Sequence, residues 1–251
     1  TLDRMRQSPM RDPVAGGYFR TCSGRDWSRP HREKLLAEQA GILANCVRTL
    51  RITQLRVYAR MAEELIAYLN ANLFDTATGA FYGCEDFLRK ENSEASSDEE
   101  FFSILDGCIY IDANAQTIVA YLDAAVTLKE PRCWARALHA LEFLWERCRN
   151  RNGAMAHYFD GVAHVDGLLD DQVHVGNALL KAYSITQNTQ YLERAMTLAE
   201  FILARLKNPQ GGYYDIETAG PALAGFRLTL IAQNGAAASF FLTLAGATQS
   251  S

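Results

Sequence analysis

The sequence contains no apolar stretch long enough to cross a membrane, no run of basic residues and no closely spaced pair of cysteines. A membrane span needs roughly 18 to 20 apolar residues, and no charged-then-apolar leader precedes a small-residue cleavage site. We therefore expect a soluble, cytoplasmic protein. The 25 basic and 29 acidic residues are mixed along the chain, which argues against a nucleic-acid partner because phosphate binding needs a basic surface.

The six cysteines are far apart, and none belongs to a CxxC pair. This spacing indicates reduced thiols rather than a disulfide framework or a zinc site. The HxH, HExxH and EF-hand spacings of common metal sites are also missing. The sequence therefore predicts no metal site and no cofactor.

Apolar residues, in contrast, are plentiful and periodic. They make up 49% of 251 residues, which is enough for one domain with a substantial core. They recur at helical spacing in consecutive pairs of segments. A glycine close to aromatic residues follows each stretch, at 17–19, 79–82, 153–158 and 212–214. Pro131 fits the first turn of the second helix of one pair.

These repeated pairs determine the predicted fold. No pair can bury its apolar face alone, so neighbouring pairs must stack into an arc or ring. We predict an all-α, (α/α)-hairpin toroid of about seven or eight helices, incomplete because a closed ring of six or seven hairpins needs a longer chain. The first helix of each pair is expected to lie inside. Residues 1–251 would form a single toroid domain or a fragment of one, with a homodimer or a partner chain completing the ring.

Residues 88–108 interrupt the helical pattern. Their centre, ENSEASSDEE at 91–100, is acidic and lacks apolar anchors. Burial cannot offset the entropy lost on ordering such a segment. We predict a flexible acidic surface loop, with a lid over a substrate as the alternative.

Several runs of residues occur in the order seen in a known family. They are GGYFR at 16–20, DWSRPHREKLL at 26–36, FYGCED at 81–86, IDANA at 111–115, GLLDD at 167–171 and GGYYD at 211–215. The first two are similar to the pattern GGGFxRYSxDxxWxxPHFEKMLYDN. The chain thus resembles the toroid portion of the thioredoxin-domain-containing, spermatogenesis-associated protein family. The resemblance implies a fold similar to N-acylglucosamine 2-epimerases and six-hairpin glycosidases.

The resemblance also implies which side chains meet a ligand. It places Trp27, Glu33 and Lys34 beside His31 at the start of an inner helix. Further substrate-binding candidates are Asp112, Asn114 and Asp171 from the later runs. Asn234 is a candidate as well, because QNGA at 233–236 is similar to a late Ser-Gly-Asn-Ser of the family. For the candidates near helix starts, simple helix capping is the alternative, because free N–H groups are concentrated there.

Toroid epimerases move a proton next to a carbonyl, so they need groups that exchange protons near neutral pH. His31 and His174 are the two catalytic candidates. Asp170 lies four residues before His174, so it could orient that imidazole and raise its basicity. His157 and His164 are expected in a turn between hairpins, where histidines are usually solvated.

The favoured function is a sugar epimerase or isomerase that binds a small carbohydrate and uses histidine acid–base catalysis. Two alternatives stay open. A glycosidase needs two carboxylates across a cleft, which Asp112 with Asp170 or Asp171 could supply. A non-catalytic interaction or structural module would instead present its apolar inner helices to a partner.

Overall fold

A computed structural model of the chain describes residues 1–89, 101–217 and 226–249. Most of this part is helical. In chain order the helices are α1 Leu2–Gln7, α2 Leu36–Thr53, α3 Arg56–Tyr68, α4 Ile111–Leu128, α5 Pro131–Arg147, α6 Leu169–Thr186, α7 Thr189–Phe201 and α8 Ile231–Gln249. Helices α3 and α7 each continue into a π-helical turn, at Leu69–Leu73 and Ile202–Leu206. The predicted all-α toroid of seven or eight helices is confirmed.

Short connections join the helices into hairpins. Two residues separate α2 from α3, α4 from α5 and α6 from α7. The first of them, Gln54, Lys129 or Gln187, has a left-handed φ of 57–58° that ends the preceding helix. The first members then pack in succession, α2 on α4, α4 on α6 and α6 on α8. They form the inner layer, as the sequence predicted, and α3, α5 and α7 form the outer one.

An amide side chain at the fourth position of each inner helix holds the turn that precedes the helix. Its oxygen accepts a hydrogen bond from one backbone N–H of the turn, and its nitrogen donates to the carbonyl of the same residue. These amide clamps join Gln39 to Tyr18, Asn114 to Phe81, Gln172 to Met155 and Asn234 to Tyr213, with N···O distances of 2.7–3.1 Å. Because buried backbone groups need partners, the amide clamps fix each turn against its inner helix.

Short antiparallel strands lie beside the starts of the inner helices. They are β1 Thr21–Cys22, β2 Pro30–His31, β3 Glu33–Leu35, β4 Cys84–Arg89, β5 Phe101–Asp106, β6 Ile109–Tyr110, β7 Ala156–Phe159 and β8 Ala163–Asp166. Three sheets result, with the orders β1-β2, β3-β4-β5 and β6-β7-β8. Strand β3 leads directly into α2, and β6 leads directly into α4. The sheets therefore mark the N-terminal end of the inner layer.

The segment predicted to be a flexible loop, residues 88–108, has ordered ends. Strands β4 and β5 pair from Cys84 with Asp106 to Arg89 with Phe101. The backbone bonds of this hairpin order both flanks, so the loop prediction is wrong there. The acidic centre, residues 90–100, lies outside the described residues.

The cysteines are free, in agreement with the sequence. Cys46, Cys133 and Cys148 are buried in the core, and burial raises the pKa of each thiol to about 12. Because the thiolate is the reactive form, these three side chains act as packing residues. Across the described ranges, no helix combines the length and the apolar character needed to cross a membrane.

Candidate active site

A groove of about 510 Å³ runs along the concave face of α2, α4, α6 and α8. Its lining residues recur at the sixth, ninth and thirteenth positions of these helices. Such spacings of three and four residues share one helical face. The sixth positions are Gly41, Gln116 and His174, and the thirteenth include Arg48, Lys181 and Thr243.

Several polar side chains in this groove have no hydrogen-bond or ion-pair partner within the described part of the chain. They are Asn45, Arg48, Gln116, His174 and Asn177. A concave surface with several convergent polar groups is typical of a small-molecule site. The groove therefore offers donors and acceptors suited to a ligand that is itself rich in hydroxyl groups.

Carboxylates lie at the N-terminal end of the groove. Asp112 and Asp170 occupy the second positions of α4 and α6. They precede the groove residues Gln116 and His174 by one helical turn. The free N–H groups and the dipole of each helix favour negative charge at this end.

Asp171, the next residue of α6, is fully buried and faces His157 of β7. The Nδ1 atom of His157 lies 3.2 and 3.3 Å from the two carboxylate oxygens. Two residues earlier, Met155 is fixed by the amide clamp of Gln172, which positions the strand against α6. The His157 side chain is 35% exposed, so its ring is anchored to a buried acid and remains accessible.

The electrostatics of this pair suit proton exchange. Burial raises the pKa of Asp171 from 3.8 to about 7 because the ionised carboxylate loses its hydration, and the hydrogen bond with His157 opposes that rise. The same hydrogen bond raises the pKa of His157, and the charges of Asp112 and Asp170 raise it further. Two titratable groups that interact this closely bind protons as a pair. The pair can thus accept and return a proton near pH 7.

Asp112, His157 and Asp171 could also hold a metal ion. They present three ligand atoms within 4.8 Å of one another. Imidazole nitrogen and carboxylate oxygen together suit divalent transition metals. Residue spacing predicted no metal site, because the three residues of this group come from α4, β7 and α6 rather than from one short motif.

Asp170 does not form the predicted pair with His174. Its carboxylate instead accepts a hydrogen bond of 2.7 Å from Nε2 of Gln233 on α8. Among the described residues no hydrogen bond joins Asp170 to His174. The prediction that Asp170 orients His174 is therefore wrong, because a neighbouring inner helix supplies a better-placed donor.

The prediction that His31 opens an inner helix is also wrong. His31 belongs to β2, its side chain is 65% exposed, and α2 begins only at Leu36. It lines a surface hollow beside Phe87, whereas His174 lines the concave groove. The two predicted catalytic histidines thus lie in different cavities. The reason is that residues 30–35 pair as strands β2 and β3 instead of continuing α2 towards its N-terminus.

Trp27 and Glu33 remain near His31 and away from the groove. The guanidinium of Arg4 lies 5.3 Å from the centre of the Trp27 ring. Glu33 accepts a hydrogen bond of 2.8 Å from Arg20. Both predicted binding residues make their contacts within the chain.

Lys34 is fully buried, so its prediction as a substrate-binding residue is wrong. Its Nζ atom lies 2.8 Å from Asp12 and 3.4 Å from Glu85. The hydroxyl of Tyr68 donates to the same Glu85 oxygen at 2.9 Å. A buried ammonium requires such partners to offset its lost hydration, and Lys34 therefore has a structural role.

Asn114 and Asn234 were predicted to bind substrate, and the structure shows both as amide clamps. Their side-chain oxygen and nitrogen are bonded to Phe81 and Tyr213. Each amide nitrogen also donates to the backbone carbonyl four residues earlier, that of Tyr110 or Leu230, so neither N–H is left for a ligand. Of the predicted residues, the structure brings together Asp112, Asp170 and Asp171.

His157 is the residue that sequence reasoning missed. A usable signal was its register, because it follows the clamped Met155 by two residues. In other units the equivalent positions are Arg20 and Asp215. Alternate residues of a strand share a face, so a polar residue at this register is directed to the same side of the turn. In the unit of Phe81 the position is Gly83.

Another cavity, of about 600 Å³, lies between α1 and α2. Its lining includes Met5, Met10 and Tyr58 together with Glu38, but no histidine. The concave groove contains His174, and the His157–Asp171 pair lies about one helical turn before His174 on the same side of the inner layer. The groove is therefore the better candidate despite its smaller volume.

No family model matches the chain. Over 86 residues, or 34% of the chain, it is 31% identical to spermatogenesis-associated protein 20 of Rattus norvegicus and 30% identical to that of Homo sapiens. The aligned part is only 11% of the length of each relative. The resemblance seen in the sequence is confirmed for this part of the chain.

The fold is similar to solved toroid structures. An α-mannanase of family GH76 from Bacteroides thetaiotaomicron has a TM-score of 0.73 at 17% identity, and the match covers 100% of this chain and 62% of that one. A cellobiose 2-epimerase from Bacillus thermoamylovorans has a TM-score of 0.67 at 14% identity, covering 83% and 54%. A D-mannose isomerase has a TM-score of 0.61 at 19% identity, covering 80% and 49%. The chain thus spans about half to three-fifths of these toroids.

Proposed function

We propose that the protein binds a carbohydrate in the concave groove and catalyses its isomerisation or epimerisation by acid–base chemistry. The observation that carries this proposal is the pair of accessible His157 and buried Asp171. Asp171 lies on α6 about one helical turn before His174, which lines the groove of unpartnered polar groups. Similar structures include proteins described as a D-mannose isomerase and a cellobiose 2-epimerase, which supports the same class of substrate.

The chemistry follows from the positions of the two groups. Neutral His157 removes the proton from the carbon next to the sugar carbonyl, and an enediol(ate) forms as the carbonyl oxygen gains negative charge. Asp171 stabilises the resulting imidazolium through the bond to Nδ1. In an epimerisation a second group delivers a different proton to the opposite face of the same carbon, whereas in an isomerisation His157 returns its proton to the neighbouring carbon. His174, within the groove, is our candidate for the second proton transfer.

The same geometry disfavours hydrolysis by two carboxylates. In glycosidases both carboxyl groups must reach the glycosidic bond. Asp171 is fully buried, and its oxygens face the imidazole of His157. It cannot contact a sugar without first losing that partner, so it is better placed to support a histidine than to attack a substrate.

Proton exchange can be measured directly. The protein would be incubated in D₂O with reducing aldoses, ketoses, N-acetylhexosamines and uronic acids, and NMR would follow deuterium uptake at C2 and the formation of new sugars. We expect exchange with at least one sugar, and His157→Gln should reduce its rate by about 10²- to 10⁴-fold.

His164→Gln is the matched control, because His164 is on the adjacent strand β8 and stacks on Tyr158 at 4.7 Å. Its rate should equal that of the wild type. Far-UV circular dichroism would establish that both variants fold. Equal rates for wild type and His157→Gln would refute the proposed role of the pair.

A second candidate function, protein interaction, is favoured by one face of α8. The first, fifth, eighth and twelfth residues of α2, α4 and α6 are buried. In α8 the same positions are exposed, and they are Ile231, Gly235, Ala238 and Leu242. Ile231 and Leu242 are 92% and 74% exposed. This α8 face is therefore an apolar surface of the kind that the chain covers elsewhere with its next inner helix.

Contact between α6 and α8 shows how such a face is covered. The ring of Phe240 packs so closely on Gly176 that an added Cβ would lie 2.5 Å from it. The α8 face offers comparable small residues, and large aliphatic side chains flank them. Two copies of the chain could therefore pack α8 against α8 about a two-fold axis.

Sedimentation velocity over a range of concentrations tests this alternative. A wild-type dimer that becomes monomeric in Leu242→Glu would support an interaction module formed by two copies. Val14→Glu is the control, because Val14 is 93% exposed and lies outside α8. A wild type that stays monomeric at every concentration would refute this alternative.

A further inference from the structure

The charge of the concave groove is one-sided. Among the described residues that line it there is no aspartate or glutamate, whereas Arg48, Lys181 and His174 all belong to the lining. By contrast, the N-terminal end of the same groove carries Asp112 and Asp170. The groove thus has an acidic end near the His157–Asp171 pair and a basic stretch farther along the inner helices.

Nearby carboxylates do not neutralise the basic stretch. Lys181 contacts Asp123 of α4 at 2.5 Å, and Arg51 approaches the same oxygen at 3.7 Å. Arg48 is exposed and has no partner among the described residues. Lys181 and Arg51 therefore share the carboxylate of Asp123, and the guanidinium of Arg48 remains available to an anion.

The position of these cations limits the size of the ligand. Arg48 and Lys181 occupy the thirteenth positions of α2 and α6, and Asp171 occupies the third position of α6. Ten residues of α-helix correspond to about 15 Å. A ligand that reaches both ends is therefore longer than one sugar ring, and Gln116 and Asn177 line the distance between.

We infer that the groove takes an anionic saccharide of two or three rings, whose carboxylate or phosphate group lies against Arg48 and Lys181. This inference rests on the proposed carbohydrate function and adds the charge of the substrate to it. A guanidinium binds carboxylate and phosphate oxygens through two parallel N–H groups. Because it is more weakly hydrated than an ammonium, removing its water on binding costs less free energy. The neutral amides along the groove are left to bind sugar hydroxyls.

Calorimetric titration of the intact protein with three disaccharides tests the inference. The probes are cellobiose, a glucuronic-acid-containing disaccharide and a phosphorylated disaccharide. We expect at least one anionic probe to bind ten-fold or more tightly than cellobiose, and raising NaCl from about 50 to 500 mM should reduce that advantage because salt screens exposed charges. Comparison of the two anionic probes distinguishes carboxylate from phosphate.

Arg48→Gln should lower the affinity for the preferred anionic disaccharide by ten-fold or more and leave the affinity for cellobiose unchanged. Arg60→Gln is the control, since Arg60 is exposed on α3 and does not line the groove. Equal affinities for neutral and anionic probes, no binding of any probe, or an unchanged affinity in Arg48→Gln would overturn the inference.

The test also separates this inference from the proposed catalysis. His157→Gln should lose proton exchange but keep the preference for the anionic over the neutral disaccharide, because that preference depends on Arg48 at the other end of the ligand. Anion-selective binding without proton exchange in any sugar would support the binding inference and refute the catalytic proposal. Proton exchange without charge preference would do the reverse.

Discussion

Replacing Asp171 with Asn should change how stability depends on pH. In the folded protein the pKa of this carboxyl is raised by burial from 3.8 to about 7. A folded pKa above the unfolded value means that the folded state binds more protons. The resulting stability is fully present below about pH 3.8 and is lost as the pH rises through 7. The raised pKa of His157 acts in the same direction, and Asp171→Asn removes its main cause.

The magnitude follows from the size of the shift. A rise from 3.8 to about 7 is roughly three units, and each unit corresponds to about 1.4 kcal/mol. The upper bound is therefore about 4 kcal/mol, and relaxation around the pair reduces it to about 1–3 kcal/mol. The amide of Asp171→Asn is uncharged, like the protonated acid. The variant should thus be close to wild type at pH 4.5 and more stable than wild type by that amount at pH 8.5.

Urea unfolding followed by circular dichroism at several pH values between 4.5 and 8.5 measures this difference. At each pH the free energy of unfolding of the variant is subtracted from that of the wild type. The contributions of titrating groups far from the site cancel in this difference. Asp160→Asn is a control of opposite sign, because the hydrogen bond of 2.9 Å with His164 lowers the pKa of Asp160. A pH-independent difference between wild type and Asp171→Asn would show that Asp171 ionises normally and would remove the basis for the acid–base role.

Three further substitutions test the packing described above, each by its effect on the free energy of unfolding. Lys34→Met should destabilise by about 3–5 kcal/mol, because it leaves the buried carboxylates of Asp12 and Glu85 without their cation; a neutral effect would contradict the structural role. Gln172→Leu should cost about 1–3 kcal/mol, because it removes both bonds of an amide clamp. Gly176→Val should cost about 1–3 kcal/mol through its clash with Phe240, whereas Gly153→Ala, which meets no neighbour, isolates the effect of backbone strain alone.

The helical hairpins were predictable because their signals are local. Apolar periodicity marks α4 and α6, and Pro131 marks the first turn of α5. The glycine and aromatic residues before each inner helix correctly marked the turns. What they left open was how each turn is attached. The amide at the fourth helical position carries that information, and in the sequence it is indistinguishable from a binding residue, which is why Asn114 and Asn234 were assigned to a ligand.

The strands were not predictable in the same way. β4 pairs with β3, which is separated from it by α2 and α3. This pairing holds residues 33–35 in a strand, so that α2 begins only at Leu36 and not at His31. Lys34 is charged and follows a histidine in a motif-like run, so its burial between Asp12 and Glu85 could not be read from spacing. Both depend on contacts between residues far apart in the chain.

The sequence by itself determined the repeated helical hairpins, the inner position of the Ala-rich helices and the carboxylates at their starts, because each depends on residues within a few turns of one another. The tertiary structure alone decided which polar groups meet. In the folded chain His157 of β7 is hydrogen-bonded to Asp171 of α6, and Asp170 accepts a hydrogen bond from Gln233 of α8. His31 and His174 lie in different cavities. The physical reason is that a site is assembled from elements distant in the chain, whereas periodicity reports only what is near.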